Sequence, residues 1–217
     1  MSARFLDDEA RAAFGRAIEA VEAASSIEVV VAVRRRSAAY LHANILVGTL
    51  IAFAALGAML FASHEFSLTS IWFDPFAVGL ASGGLVELLP GVKRVLTTAA
   101  RRRAHVERAA RATFVERGVH NTLDRSGLLV YISWLEQQVV LVPDSGLARA
   151  VSADVLAKTE SALAAAMPAG GAAVAKLLGE LADRVGVAMP RRTDDLNELP
   201  DAIDSDLARA ERRRRPR

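Results

Sequence analysis

The chain has 217 residues, 52% of them hydrophobic and 6% aromatic, with 27 basic and 25 acidic side chains for a net charge of +2. Soluble domains carry about 45–50% apolar residues, so the excess is small and matters only where it is concentrated. The near-balanced charge excludes an acidic disordered chain or a protein built wholly around polyanions, and the absence of cysteine excludes disulfides, thiolate nucleophiles, Cys-ligated zinc and iron–sulfur clusters.

In chain order, Asp7 and Asp8 open a helical stretch in which Ala10, Phe14, Ile18 and Val21 recur on one face. Acidic residues suit that end of a helix dipole. Ile27 to Val33 (IEVVVAV) is a β-branched run of the kind found in strands covered on both faces.

The apolar excess follows at once. Leu41 to Ala62 reads LHANILVGTLIAFAALGAMLFA, with no charged stripe. As a helix it measures about 33 Å, enough to cross a hydrocarbon core of about 30 Å. A buried core helix is the competing reading, but so small a chain has little with which to cover such a rod. A signal peptide is disfavoured by the forty residues ahead of it and by the lack of a small-residue cleavage pattern. A second span is expected from Ile71 to Val92, with Asp74 as N-cap, Pro75 at the first helical position and Trp72 at headgroup level. Only Pro75 to Val86 is strictly uncharged, so a full crossing requires Asp74 and Glu87 to lie at its two ends.

Charge sets the expected topology. Arg34, Arg35 and Arg36 precede the first span, Lys93, Arg94, Arg101, Arg102 and Arg103 follow the second, and Ser63 to Phe73 holds neither Lys nor Arg. The positive-inside rule then places both flanks, and both termini, on the cytoplasmic side of a bacterial inner membrane crossed twice. Gly79 and Gly83 on the second helix and Gly48 and Ala52 on the first are small residues four apart. Such residues admit close backbone approach, either within this hairpin (the favoured reading) or between copies. Glu87 near the membrane edge calls for a partner, and an antiparallel hairpin offers His42 at similar depth.

Past the hairpin, Arg101 to Arg117 is amphipathic through Val106, Ala110 and Phe114, with Gly118 as C-cap. Leu128 to Trp134 and Val139 to Val142 are expected to form a β-hairpin about a polar, solvated turn at Glu136, Gln137 and Gln138. Ser152 caps a third helix through Val155, Leu156, Thr159 and Leu163. A fourth carries Val174, Leu177, Leu178, Leu181 and Val185. One early strand cannot bury both faces alone, so an α/β domain with a small mixed sheet is expected to assemble across the insertion. The expected division is residues 1–36 and 93–190 for the α/β domain, 37–92 for the hairpin (41–62 and 71–92), and 191–217 for a disordered charged tail.

The segment from Thr122 to Leu147, with Thr122, Gly127, Glu136, Asp144, Gly146 and Leu147, resembles the TPM-domain family, also called the TPM phosphatase family, in its bacterial membrane-embedded branch. That branch interrupts its domain with a hydrophobic hairpin after the first strand, as here at 37–92. The resemblance implies a TPM-like α/β fold related to proteins of photosystem II repair and acetylcholine-receptor modulation. It also implies acid phosphatase activity and Ca2+ or Mg2+ binding in some members. The better-known members are mostly secreted or lumenal and carry a Gly-aromatic-Gly stretch after the second strand that is missing here.

The residues themselves offer little chemistry. His42, His64, His105 and His120 form no metal-ligand spacing, and neither a phosphate-binding loop nor a G-x-S-x-G elbow occurs. Asp124 and Asp144, at the two ends of the β-hairpin, and Asp154, at a helix start, are the candidates for a hard cation; turn and first-turn roles are the stronger reading for all three. The arginine clusters, including Arg212 to Arg215, suit anionic lipid headgroups better than nucleic acid, because no aromatics are interleaved with them. The expected role is a membrane-anchored, non-catalytic scaffold or interaction module serving a membrane or cytoplasmic protein partner. The alternative is a divalent-metal-dependent phosphatase.

Overall fold

The computed structural model describes residues 5–191, Leu199 and residues 203–207. They form two compact units, one of the described residues within 1–37 and 103–217, the other of residues 38–102. In chain order the elements are α1 (Asp8–Ala24), β1 (Val29–Arg34), α2 (Leu41–Phe61), α3 (Leu68–Leu85), α4 (Pro90–Val95), α5 (Ala99–Glu116), β2 (Leu128–Ser133), β3 (Gln138–Pro143), α6 (Ser145–Ala150), α7 (Ala153–Ala166), α8 (Gly171–Gly179), α9 (Ala182–Ala188) and β4 (Asp204–Ser205).

The first unit is an α/β fold on a four-stranded mixed sheet of order β3-β2-β1-β4. β1 runs parallel to β2, with Val29 opposite Leu128 and Arg34 opposite Ser133, and β2 runs antiparallel to β3. The β-branched run in β1 alternates between two cores. Val29, Val31 and Val33 join Phe14, Ile18 and Val21 of α1, Leu163 of α7 and Leu178 of α8 on one face. Val30 and Ala32 join Val106 and Ala110 of α5 on the other. Each fully buried valine contributes about 1.5–3 kcal/mol, which explains a strand with no polar face. α1 begins where the acidic pair predicts: Asp7 accepts a hydrogen bond from the Ala10 N–H at 2.9 Å. Gly118 ends α5 at φ +65°, a conformation glycine adopts without the Cβ penalty.

Three local expectations change. The expected fourth helix is two, α8 and α9, parted after Gly179, where the Glu180 N–H still closes a helical turn onto the Lys176 carbonyl but the Leu181 N–H closes a tighter one onto Leu178. Within the expected disordered tail, residues 203–207 add a strand beside β1, with Ala32 opposite Asp204 and Val33 opposite Ser205. The buried Leu207 supplies the apolar grip that makes the pairing worthwhile. Much of the remaining tail, including Arg212 to Arg215, lies outside the described residues. Glu136 is not a solvated turn residue; it is 2% exposed.

The second unit is a helical hairpin. Leu41–Phe61 and Leu68–Leu88, each 21 residues, are long and apolar enough to cross a membrane. The second helix begins seven residues earlier than Asp74-Pro75 suggests. Ser67 is the N-cap, its hydroxyl accepting from the Ser70 N–H at 3.1 Å, and Pro75 falls inside α3. The proline leaves the ladder bond from position 75 to Ile71 unmade, while the rest of the helix carries through. The unit runs to Arg102, beyond the expected boundary at 92, because α4 and the turn after it bond back to the hairpin.

Candidate functional site

The hairpin presents its large side chains outward. Leu50, Phe53 and Phe61 on α2 and Leu68, Trp72 and Phe76 on α3 are exposed. Only 6% of the most apolar window of the first helix, and 22% of that of the second, is buried. What the helices share is the small-residue seam. A Cβ on Gly48 falls 2.7 Å from the Gly79 carbonyl oxygen, and one on Gly79 falls 2.7 Å from the Gly48 oxygen and 2.8 Å from the Ala52 Cβ. Gly83 lies as close to the Asn44 carbonyl. The four small residues therefore meet inside one hairpin, where backbone contact replaces side-chain packing.

At the α4 end of this unit the polar groups pair differently from expectation. Glu87 forms an ion pair with Lys93 and accepts from the Asn44 amide at 3.1 Å, while His42 Nε2 lies 3.1 Å from the Thr97 hydroxyl. α4 folds the Lys93 ammonium against the Glu87 carboxylate, and a charge-assisted hydrogen bond of this kind is about twice as strong as a neutral one. Lys93, assigned above to setting topology, is 2% exposed and occupied by that pair. Arg102 donates to the carbonyls of Arg94 and Thr97.

The other arginines divide as well. Arg34 grips the Asp204 carboxylate. Arg103 bonds Glu107 at 2.7 Å and Glu160 at 2.9 Å, and donates to the Val139 carbonyl at 3.2 Å. Glu160 in turn accepts from the Leu141 N–H at 3.2 Å. Two outward-facing backbone groups of the edge strand β3 are thus occupied by an arginine–glutamate pair rather than left as a template for another strand. Burial works against the charge on Arg103, but hydrogen bonds and the charges of Glu160 and Glu107 outweigh it and hold the guanidinium above its ordinary value. Arg35, Arg36, Arg94 and Arg101 are exposed.

The three candidate metal ligands do not form one cluster, although the backbone at Asp124 lies against that at Gly146. Asp144 caps α6, its Oδ1 accepting from the Ser145 N–H at 2.6 Å; its buried Oδ2 has no hydrogen-bond partner and lies 3.9 Å from Arg125 Nη1. Asp124 and Asp154 are exposed. A hard cation takes six or more oxygen ligands, drawn from carboxylates, carbonyls and water. Among the described residues no group of three or more His, Asp or Glu side chains is placed to hold a metal ion.

The structure brings together a group that sequence reasoning passed over. Glu136 accepts from the Ser133 hydroxyl and from the Ser37 N–H at 2.9 Å; the Ser37 hydroxyl donates to Ser133 Oγ at 2.8 Å and lies 3.2 Å from the Tyr131 hydroxyl. Three of the four residues come from β2 and its turn, and Ser37 follows β1, so parallel pairing of the strands assembles the cluster. Burial pushes the Tyr131 phenol up, with the Ser37 hydrogen bond pulling part of the way back. The signal available in the sequence was a serine on the last strand position with a glutamate three residues on, which returns a carboxylate to the strand end across a tight turn.

No protein-family model matches the chain, and no curated protein matches it. Among solved structures the chain is similar to the NMR structure of the BA42 protein from the psychrophilic bacterium Bizionia argentinensis, with a TM-score of 0.56 and 17% identity over 93% of this chain and 95% of that one. At that identity the likeness is one of fold.

Proposed function

We propose that this chain is an inner-membrane protein in which a TPM-like α/β unit, interrupted by its own two-span anchor, serves at the cytoplasmic surface as a scaffold or interaction module. The observation that carries the reading is the inverted hairpin, with bulky apolar side chains outward and glycines inward. In water that surface is costly at roughly 25 cal/mol per Å² of apolar area; in lipid it costs nothing comparable. The exposed arginines at 35, 36, 94 and 101 suit anionic headgroups at about 1 kcal/mol each. The resemblance at residues 122–147 supports the TPM-like part.

The natural chain has no cysteine, so single-cysteine labelling of intact cells is clean. His64→Cys is expected to react with an impermeant maleimide from outside, and Ala99→Cys only after permeabilisation. Release of the protein by alkaline carbonate, or the reverse labelling, would falsify the reading.

A further inference from the structure

The sheet edge opposite β3 is closed by the chain's own late segment. Beside β1, the Asp206 N–H donates to the Val33 carbonyl at 3.3 Å, and the Asp206 carboxylate accepts from the Arg35 N–H at 2.7 Å. Arg34 and Arg117, from β1 and from just past α5, close on the one Asp204 carboxylate, and Arg34 also donates to the Asp204 carbonyl at 2.9 Å. The flanking aliphatics point inward: Leu207 joins the main core and Ile203 packs against it. Upstream, the Leu199 N–H reaches Glu28 Oε2 at 3.3 Å. An extended Ile-Asp-Ser-Asp-Leu segment is therefore read by a strand edge, by two guanidinium groups and by an apolar cleft. Those are the elements of peptide recognition by strand addition, with main-chain bonds for affinity and alternate side chains for specificity.

The strand itself is only two residues long. So short a pairing draws much of its occupancy from being tethered, since a short linker supplies an effective concentration on the order of millimolar. We infer that the outer edge of β1, with Arg34 and Arg117, is a docking slot for an extended segment of the pattern aliphatic-Asp-x-Asp-aliphatic, covered in cis by residues 203–207 and opened to such a segment of a partner protein when they leave. The biological use of the slot rests on the interaction-module reading above. Its test does not, because peptide capture is indifferent to which side of a membrane the unit faces.

The test uses the full chain in detergent micelles and a fluorescent peptide of residues 199–207, followed by anisotropy. The wild-type chain is expected to bind weakly and the D204A/D206A chain at least tenfold more tightly. Adding Arg117→Gln to the latter is expected to cancel the gain, and a peptide with both aspartates changed to asparagine should not bind. Equal binding by wild-type and strap-released chains, or equal binding of the aspartate and asparagine peptides, overturns the proposal. If the double variant does not fold, Leu207→Ala is the milder release, and a folded Leu207→Ala chain with no tighter binding overturns it equally. A wild-type chain that sizes as a dimer exchanging residues 203–207 between copies overturns the cis occupancy.

Discussion

The two units of this chain use opposite materials for the same task. In the α/β unit, β1 buries every valine between two helix layers, and charged groups gather at sheet edges and strand ends. In the hairpin, the helices touch through Gly48, Ala52, Gly79 and Gly83 and turn leucine, phenylalanine and tryptophan away from each other. Where water is the solvent, large apolar side chains make the core; where lipid is, they face the solvent and the smallest residues make the core. The contrast is testable residue by residue.

The largest effect is expected from a charge on the outward face. Leu50→Arg places a guanidinium in the middle of α2 at a cost of about 2.5–3.5 kcal/mol for insertion, so the carbonate-resistant fraction should fall sharply. Val115→Arg, on an exposed position of α5, should stay within about 0.5 kcal/mol of the parent in thermal unfolding. Similar responses from the two variants would erase the distinction between the units.

Next come the inner faces. Gly79→Leu drives a side chain into the α2 backbone, and overpacking of this kind costs about 1–3 kcal/mol, read as a lower hairpin melting temperature in micelles. In the α/β unit the counterpart is Glu136→Ala, which strands the Ser133 hydroxyl and the Ser37 N–H at a cost of about 1–3 kcal/mol. Glu136→Gln should recover part of that, since an amide oxygen still accepts. A loss in the glycine variant with none in the glutamate variant would mean that the polar cluster is ornamental.

Smaller again is Arg103→Ala. A half-exposed ion pair contributes about 1 kcal/mol or less, so stability should barely move, yet the Val139 carbonyl is uncovered and sizing should reveal concentration-dependent self-association through β3. The smallest effect is a slope. The Tyr131 phenol is raised in the folded chain, so the unfolded state loses its proton first and stability should decline as pH climbs past about 10, the unperturbed tyrosine value. Tyr131→Phe should flatten that decline in a denaturation series.

Much of the architecture was legible because it is periodic. The α1 stripe, the β-branched run of β1, the two apolar rods and the β2–β3 hairpin each repeat a pattern over many residues, and packing follows pattern. Asp74-Pro75 misled because a local start signal loses to a helix already under way from Ser67. β4 was illegible because two residues carry no periodicity; its placement comes from Asp204 meeting two arginines distant in sequence. Glu136 was misplaced for a related reason. A charged residue in a turn reads as solvated until the fold supplies its partner.

The parallel pairing of β1 with β2 also sets a schedule. The central strand leaves the ribosome early, but its neighbour follows more than ninety residues later, after the whole hairpin has been made. At 5–20 residues per second that interval is roughly 5–20 s. Until then β1 is a bare aliphatic ribbon without its central partner, and the α/β unit cannot close before the hairpin has been synthesised. Birth order thereby exposes the apolar hairpin to its surroundings before the α/β unit can fold.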